Sequence, residues 1–229
     1  MHDLPDFRGG VIAFDLDGTL VDTAPDLVGT LNTVLAQEGL PALPFDAVRA
    51  MIGRGARALL ERGFQAAGAS LDRDHSDVLT ARFIALYLER IADESAAFPQ
   101  VPETLEALRG AGARLAVCTN KPTNLSIALL DALDLSRLFD AIIGPDAAPA
   151  AKPDARHLFA AIEAAGGERT RALLVGDSET DVKAARNAGV PVVAVSFGYT
   201  EIPCADLGAD ILIDGFKDLP AACARLLPR

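Results

Sequence analysis

The chain has 229 residues, half of them hydrophobic, and a formal net charge of -11 with a pI near 4.7. That length buries a sizeable core in one large domain or two small ones. The acidic balance argues against nucleic acid or an anionic membrane surface as the main partner, while an anionic small molecule stays open because a bound metal reverses the local field.

Cys118, Cys204 and Cys223 are scattered and odd in number, which implies no disulfide framework. His2, His75 and His157 form no spaced cluster of the kind zinc requires. No signal peptide precedes the first apolar run and no run is long enough to span a bilayer, so a cytoplasmic protein is expected.

Val11-Ile12-Ala13-Phe14 reads as a buried strand that ends abruptly in Asp15-Leu16-Asp17-Gly18-Thr19. Residues 23–94 change character. Pro25 opens a helix whose apolar positions Leu27, Val28, Leu31, Val34 and Leu35 recur until Gly39. A second helical stretch starts near Phe45, is interrupted by Gly53-Arg54-Gly55 and resumes with Leu59, Leu60 and Phe64. A long run from about Arg73 to Glu94 follows, and the whole segment predicts a small helical bundle without a strand.

From Phe98 onward strands and helices alternate. Strands are expected at 114–118, 141–143, 172–175, 191–195 and 211–213, and helices from Pro102 to Gly110 or Gly112 and at 123–134, 154–165, 178–188 and 217–227. Such alternation predicts an α/β fold, a mostly parallel sheet with helices on both faces. The opening strand belongs to that sheet. Residues 1–22 and 95–229 therefore form the expected core, and 23–94 an inserted α-helical unit.

Ligands of such sheets bind beyond the carboxyl ends of the strands, and three of those ends carry polar residues that packing does not need. Asp15 and Asp17 repel one another unless a cation or a shared proton lies between them, so the pair reads as the start of a Mg²⁺ site. A simple turn or the opening of a calcium loop are the other readings. The second end carries Thr119-Asn120-Lys121, where Thr119 is either a functional hydroxyl or a cap. The third carries Gly176-Asp177-Ser178-Glu179-Thr180-Asp181, in which Ser178 and Asp181 fit a capping box and Asp177 stands where a metal ligand would. Lys152, one of only four lysines, precedes Pro153 in the loop before helix 154–165 and reads either as a solvated ammonium or as part of the site.

In this order Asp-x-Asp-Gly-Thr, the strand-end Thr119, Lys152-Pro153 and Gly176-Asp177-Ser178-x-x-Asp181 resemble the four motifs of the haloacid dehalogenase superfamily, over essentially the whole chain. The resemblance implies a Rossmann-like core with a helical cap inserted between the first and second motifs. It implies Asp15 as nucleophile and Asp17 as general acid and base. Thr119, Asn120 and Lys152 are expected on the phosphoryl group, with Mg²⁺ held by Asp15, Asp17 and Asp177 and with Asp181 acting at one remove. The implied reaction hydrolyses a phosphomonoester through an aspartyl-phosphate.

Dehalogenases lack the second acid of the opening pair, which this chain has as Asp17. Phosphonoacetaldehyde hydrolases use a cap lysine, and residues 23–94 contain none. The stretches 14–27, 52–60, 119–122 and Phe197-Gly198-Tyr199 resemble bacterial phosphoglycolate phosphatases, which implies 2-phosphoglycolate as substrate. Arg54 then reads either as a solvated helix-start residue or as a fork for the substrate carboxylate. A phosphatase of sugar phosphates or pyrophosphate, a β-phosphoglucomutase-like mutase, and a non-catalytic interaction protein on the same fold remain as alternatives. The oligomeric state, monomer or dimer, is left open.

Overall fold

The structure, a computed structural model, describes residues 4–227; His2 and the outermost ends of the segments 1–22 and 95–229 lie outside the described residues. β1 (Val11–Phe14) is fully buried, as a strand covered on both faces must be. The chain turns at Gly18, and β2 (Val21–Asp22) leads into α1 (Ala24–Gln37), α2 (Phe45–Arg49), α3 (Ala56–Ala66) and α4 (Arg73–Glu89). β3 (Ala96–Ala97) returns antiparallel to β2, with Val21 opposite Ala97. Then follow α5 (Val101–Gly110), β4 (Arg114–Cys118), α6 (Thr123–Ala132), β5 (Ala141–Ile143) and α7 (Ala155–Ala164). β6 (Ala172–Gly176), α8 (Glu179–Ala188), β7 (Val192–Val195), β8 (Ile211–Ile213) and α9 (Leu219–Leu226) complete the chain.

Six strands make one parallel sheet in the order β5-β4-β1-β6-β7-β8. β1 lies between β4 and β6, with Ala13 level with Ala116 on one side and Leu174 on the other. The winding runs outward from β1 to β5 and then crosses back to β6, so the order reverses between β1 and β6. That is the switch point where open α/β sheets take their ligands. Alternation along β1 divides the core: Ile12 and Phe14 pack with Leu105, Leu129 and Phe216, and Val11 and Ala13 with Leu158, Ile162 and Val182.

The helices α1 to α4 carry a third apolar cluster of their own, built on Leu31, Leu35, Leu60, Phe64, Leu79 and Phe83. Leu125 from α6 and Tyr199 from the loop after β7 join it. Among the described residues, no helix is long and apolar enough to cross a membrane.

Two local features differ from the sequence expectation. The helix expected to reach Glu94 stops at Glu89. Buried Asp26 of α1 accepts hydrogen bonds from the Glu94 and Ser95 N–H groups and the Ser95 hydroxyl, which holds that stretch out of helical register. The β2–β3 ribbon gave no signal because two residues are too few to show a period.

Candidate active site

Asp15, Asp177 and Asp181 are all buried, and one carboxylate oxygen from each lies within 4.8 Å of those of the other two. They come from adjacent strand ends: Asp15 directly follows β1, and Asp177 and Asp181 flank the start of α8 beyond β6. Asp15 is fixed by its main chain, whose N–H donates to the Val175 carbonyl at 2.9 Å. Its Oδ1 accepts from the Leu16 N–H at 2.7 Å. No hydrogen bond from the described residues reaches its Oδ2.

Asp177 accepts from the Thr19 hydroxyl at 2.8 Å and from the Tyr199 N–H at 2.6 Å. The packing round it is close enough to dictate two glycines. A Cβ on Gly18, at φ +85, would lie 2.6 Å from an Asp177 oxygen, and one on Gly198 would lie 2.1 Å from the Asp177 Cβ.

Asp181 completes the expected capping box with Ser178 at the start of α8. Its Oδ2 takes the Ser178 N–H and hydroxyl, and its Oδ1 takes the Lys152 ammonium at 2.7 Å. Both oxygens are therefore engaged, whereas Asp15 keeps one free.

Lys152 is buried, and its Nζ stands 2.8 Å from Asp15 Oδ1 as well. Its backbone is held with equal care. The Lys152 N–H donates to Asn120 Oδ1 at 2.9 Å and to His157 Nδ1 at 3.0 Å, and its carbonyl accepts from Asn120 Nδ2 at 3.2 Å. The Lys152–Pro153 peptide is cis. Because His157 Nδ1 accepts, the proton is assigned to Nε2, which donates to the Ile143 carbonyl at 3.2 Å. Burial pushes the His157 pKa down to about 4, which keeps the ring neutral.

Asn120, expected on the phosphoryl group, thus has its amide turned to the Lys152 backbone, with a further bond of 3.4 Å to the Gly53 carbonyl. Thr119 is buried, and its hydroxyl accepts from the Lys121 N–H at 3.2 Å. Thr119 and Asn120 line a small cavity with Asp15, Asp17, Gly53, Gly55 and Lys121.

Asp17 faces that cavity but lies outside the group of three acids. Its Oδ1 accepts from the Lys121 ammonium at 3.0 Å. Lys121 also donates to the Tyr87 hydroxyl of α4 at 2.9 Å. Burial alone would lower its pKa, yet the Asp17 carboxylate and Tyr87 raise it overall, so it is an ammonium. Arg54 is exposed and lines open clefts outside the small cavity, one with Lys152 and Lys183 and the other with Thr200 and Glu201.

Burial, with the Asp181 charge next, raises the Asp15 pKa to about 7 and the Asp177 pKa to about 8. Three carboxylates with the single ammonium of Lys152 would carry two negative charges when ionised. A divalent cation balances them, and oxygen-only donors suit Mg²⁺. The Asp15, Asp177 and Asp181 carboxylates are the groups close enough together to hold it.

Lys121, Tyr87, His157, Thr19 and Tyr199 had no role assigned from sequence. A faint signal existed: the chain has only two tyrosines and four lysines, and both tyrosines and two of the lysines meet here.

The family model for haloacid dehalogenase-like hydrolases matches residues 12–195. A phosphoglycolate phosphatase of Caulobacter vibrioides is 65% identical over 227 residues, covering 99% of this chain and 96% of that protein. One of Agrobacterium fabrum is 46% identical, covering 94% of this chain and 93% of its own length. A crystal structure of a predicted phosphoglycolate phosphatase from Haemophilus somnus superposes with a TM-score of 0.87 at 35% identity, over 94% of this chain and 98% of that one. With its fold, its acid cluster and its motifs in the expected places, the chain belongs to the haloacid dehalogenase-like hydrolases.

Proposed function

We propose that the protein is a Mg²⁺-dependent phosphatase that forms an aspartyl-phosphate on Asp15 and converts 2-phosphoglycolate to glycolate and phosphate. The observation that carries the chemistry is the Asp15 carboxylate: buried, oriented by the Leu16 N–H and Lys152, and with Oδ2 free to attack. The substrate follows the names of relatives that match along nearly the whole chain.

Attack of a carboxylate on a phosphate monoester meets like-charge repulsion. Lys152 offsets it, standing between Asp15 and Asp181 with one N–H left for a phosphoryl oxygen. Thr119 donates its hydroxyl proton to another phosphoryl oxygen. Asp15 and Asp177 would hold Mg²⁺, which would supply further charge neutralisation. Asp17 gives its proton to the leaving alkoxide and later takes one from the water that hydrolyses the aspartyl-phosphate. Asn120 and His157 hold the Lys152 backbone so that the ammonium arrives already oriented.

Residues 23–94 act as a cap that excludes bulk water and limits the substrate to a small body. Gly53 and Gly55 bring its backbone against Asn120. The three cysteines are free, which suits a reducing cytoplasm.

The test is phosphate release from 2-phosphoglycolate, several hexose phosphates and pyrophosphate, with Mg²⁺ and with EDTA. A Mg²⁺-dependent preference for 2-phosphoglycolate is expected. Turnover spread over hexose phosphates would move the substrate to that class, and no release from a folded, metal-loaded protein would overturn hydrolysis.

A further inference from the structure

Lys121 is a buried ammonium inside the cavity, and the reaction as derived leaves it without a task. Its three N–H donors have two acceptors in the protein, Asp17 Oδ1 at 3.0 Å and the Tyr87 hydroxyl at 2.9 Å. One donor remains. Lys152 shows the same arithmetic, two protein acceptors and one remaining donor.

The two ammoniums stand beside different acids of the site. Lys152 is beside the nucleophile Asp15, where the phosphoryl group reacts. Lys121 is beside Asp17, where the ester oxygen leaves. In 2-phosphoglycolate a single methylene separates that oxygen from the carboxylate, so a carboxylate follows the ester oxygen toward the neighbourhood of Lys121. Next to Lys121 the wall is apolar, formed by Leu27, Ile52, Leu59, Phe83 and Leu125, around a space of about 30 Å³. That space has room for about two water-sized groups beside Lys121, less than a hexose ring needs. Arg54, the sequence candidate for this task, lies outside in open clefts.

We propose that Lys121, oriented by the Tyr87 hydroxyl of α4, is the specificity-determining residue that receives the substrate's carboxylate. The proposal rests on the reading of 2-phosphoglycolate as substrate. It makes selectivity a joint property of the strand end that carries Lys121 and the helix that carries Tyr87. A substrate carboxylate met there replaces water on a cation that is already desolvated, which makes the charge-assisted bond count.

The measurement compares kcat/KM for 2-phosphoglycolate and for ethyl phosphate, which carries a methyl group in place of the carboxylate, in the intact Mg²⁺-loaded protein. The wild type is expected to favour 2-phosphoglycolate by about 100-fold or more. Lys121→Met is expected to bring the ratio to within about tenfold of unity, the loss falling mainly on 2-phosphoglycolate. Lys121→Arg should restore part of it, Tyr87→Phe should lower it a few-fold through KM, and Arg54→Ala should leave it in place.

A wild type without preference overturns the substrate reading and this proposal together. A wild-type preference that survives Lys121→Met, or one that collapses in Arg54→Ala, overturns the proposal alone. An equal fall for both esters in Lys121→Met would mean that Lys121 serves only Asp17, and also overturns it. If Lys121→Met turns over neither ester, the Tyr87→Phe ratio decides: a few-fold fall sustains the proposal and an unchanged ratio contradicts it.

Discussion

Lys152 and Lys121 are equally buried at the carboxyl end of one sheet, each 5% exposed, yet they belong to differently built regions. Lys152 sits among groups from two strand ends, Asp15 and Asn120, and from the first turns of α7 and α8, His157 and Asp181. Lys121 spans two parts of the molecule, with Asp17 below it and Tyr87 of α4 above. The first region is built from the parallel sheet and the two helices packed on it. The second exists only while α4 stays in place over the strand ends. Chemistry common to many phosphate esters belongs in the first, and discrimination among them in the second.

The sharpest way to break the first region is Asp15→Asn. Its phosphate release should fall at least about 10³-fold, with the fold retained by circular dichroism. Removing the ammonium instead, in Lys152→Met, leaves the Asp15 and Asp181 carboxylates facing each other without compensation. Beyond the loss of turnover, the metal-free protein should be destabilised by about 3 kcal/mol in urea unfolding near neutral pH. Lys121→Met breaks a pair with one carboxylate instead of two and should cost less in the same assay.

Metal removal probes the first region by pH. The folded-state pKa values of Asp15, about 7, and Asp177, about 8, lie above the ordinary 3.8. Between those limits the metal-free fold binds more protons than the unfolded chain, so it loses stability as pH rises from about 4 to 8. Mg²⁺ displaces those protons, and its stabilising shift in Tm should grow across the same window. A shift independent of pH would contradict the placement of the metal on these two acids. His157 acts in the opposite sense and in a narrower range. Its folded pKa, about 4, lies below the ordinary 6.5, so its contribution is complete above about pH 6.5 and lost as pH falls toward 4.

The smallest effect is expected for His157→Ala, which leaves the Lys152 N–H with Asn120 alone and the Ile143 carbonyl without its ring donor. It should cost about 1–3 kcal/mol in urea unfolding. Turnover should fall through kcat, with the Mg²⁺ affinity unchanged.

The same division governs what the sequence reveals. Strands at 114–118, 141–143 and 211–213 coincide with β4, β5 and β8, because buried parallel strands are written as apolar runs and their ends as abrupt polar residues. Asp15, Asp177, Asp181 and Thr119 are legible for that reason, each at or just beyond the end of an apolar run, and Lys152 by its rarity and the proline after it. The Ser178–Asp181 capping box is legible because it is local, three residues apart. Lys121 and Tyr87 are 34 residues apart and on separate elements, so nothing local connects them. His157 shows no metal spacing because its ring binds two backbone groups, a role that has no motif. The Arg54 side chain is placed by the loop between α2 and α3, where two positive-φ glycines, Gly53 and Gly55, set the direction of the backbone. It opens onto the cleft that Lys152 also lines, outside the small cavity beside Asp15.

The central claim, that Asp15 is phosphorylated in turnover, is tested most directly by acid quenching the Mg²⁺-loaded protein during turnover of 2-phosphoglycolate and mapping the phosphoryl group by mass spectrometry. The account predicts a transient adduct on the peptide that carries Asp15, absent with EDTA and absent in Asp15→Asn. An adduct on another residue, or sustained turnover by Asp15→Asn, would contradict it.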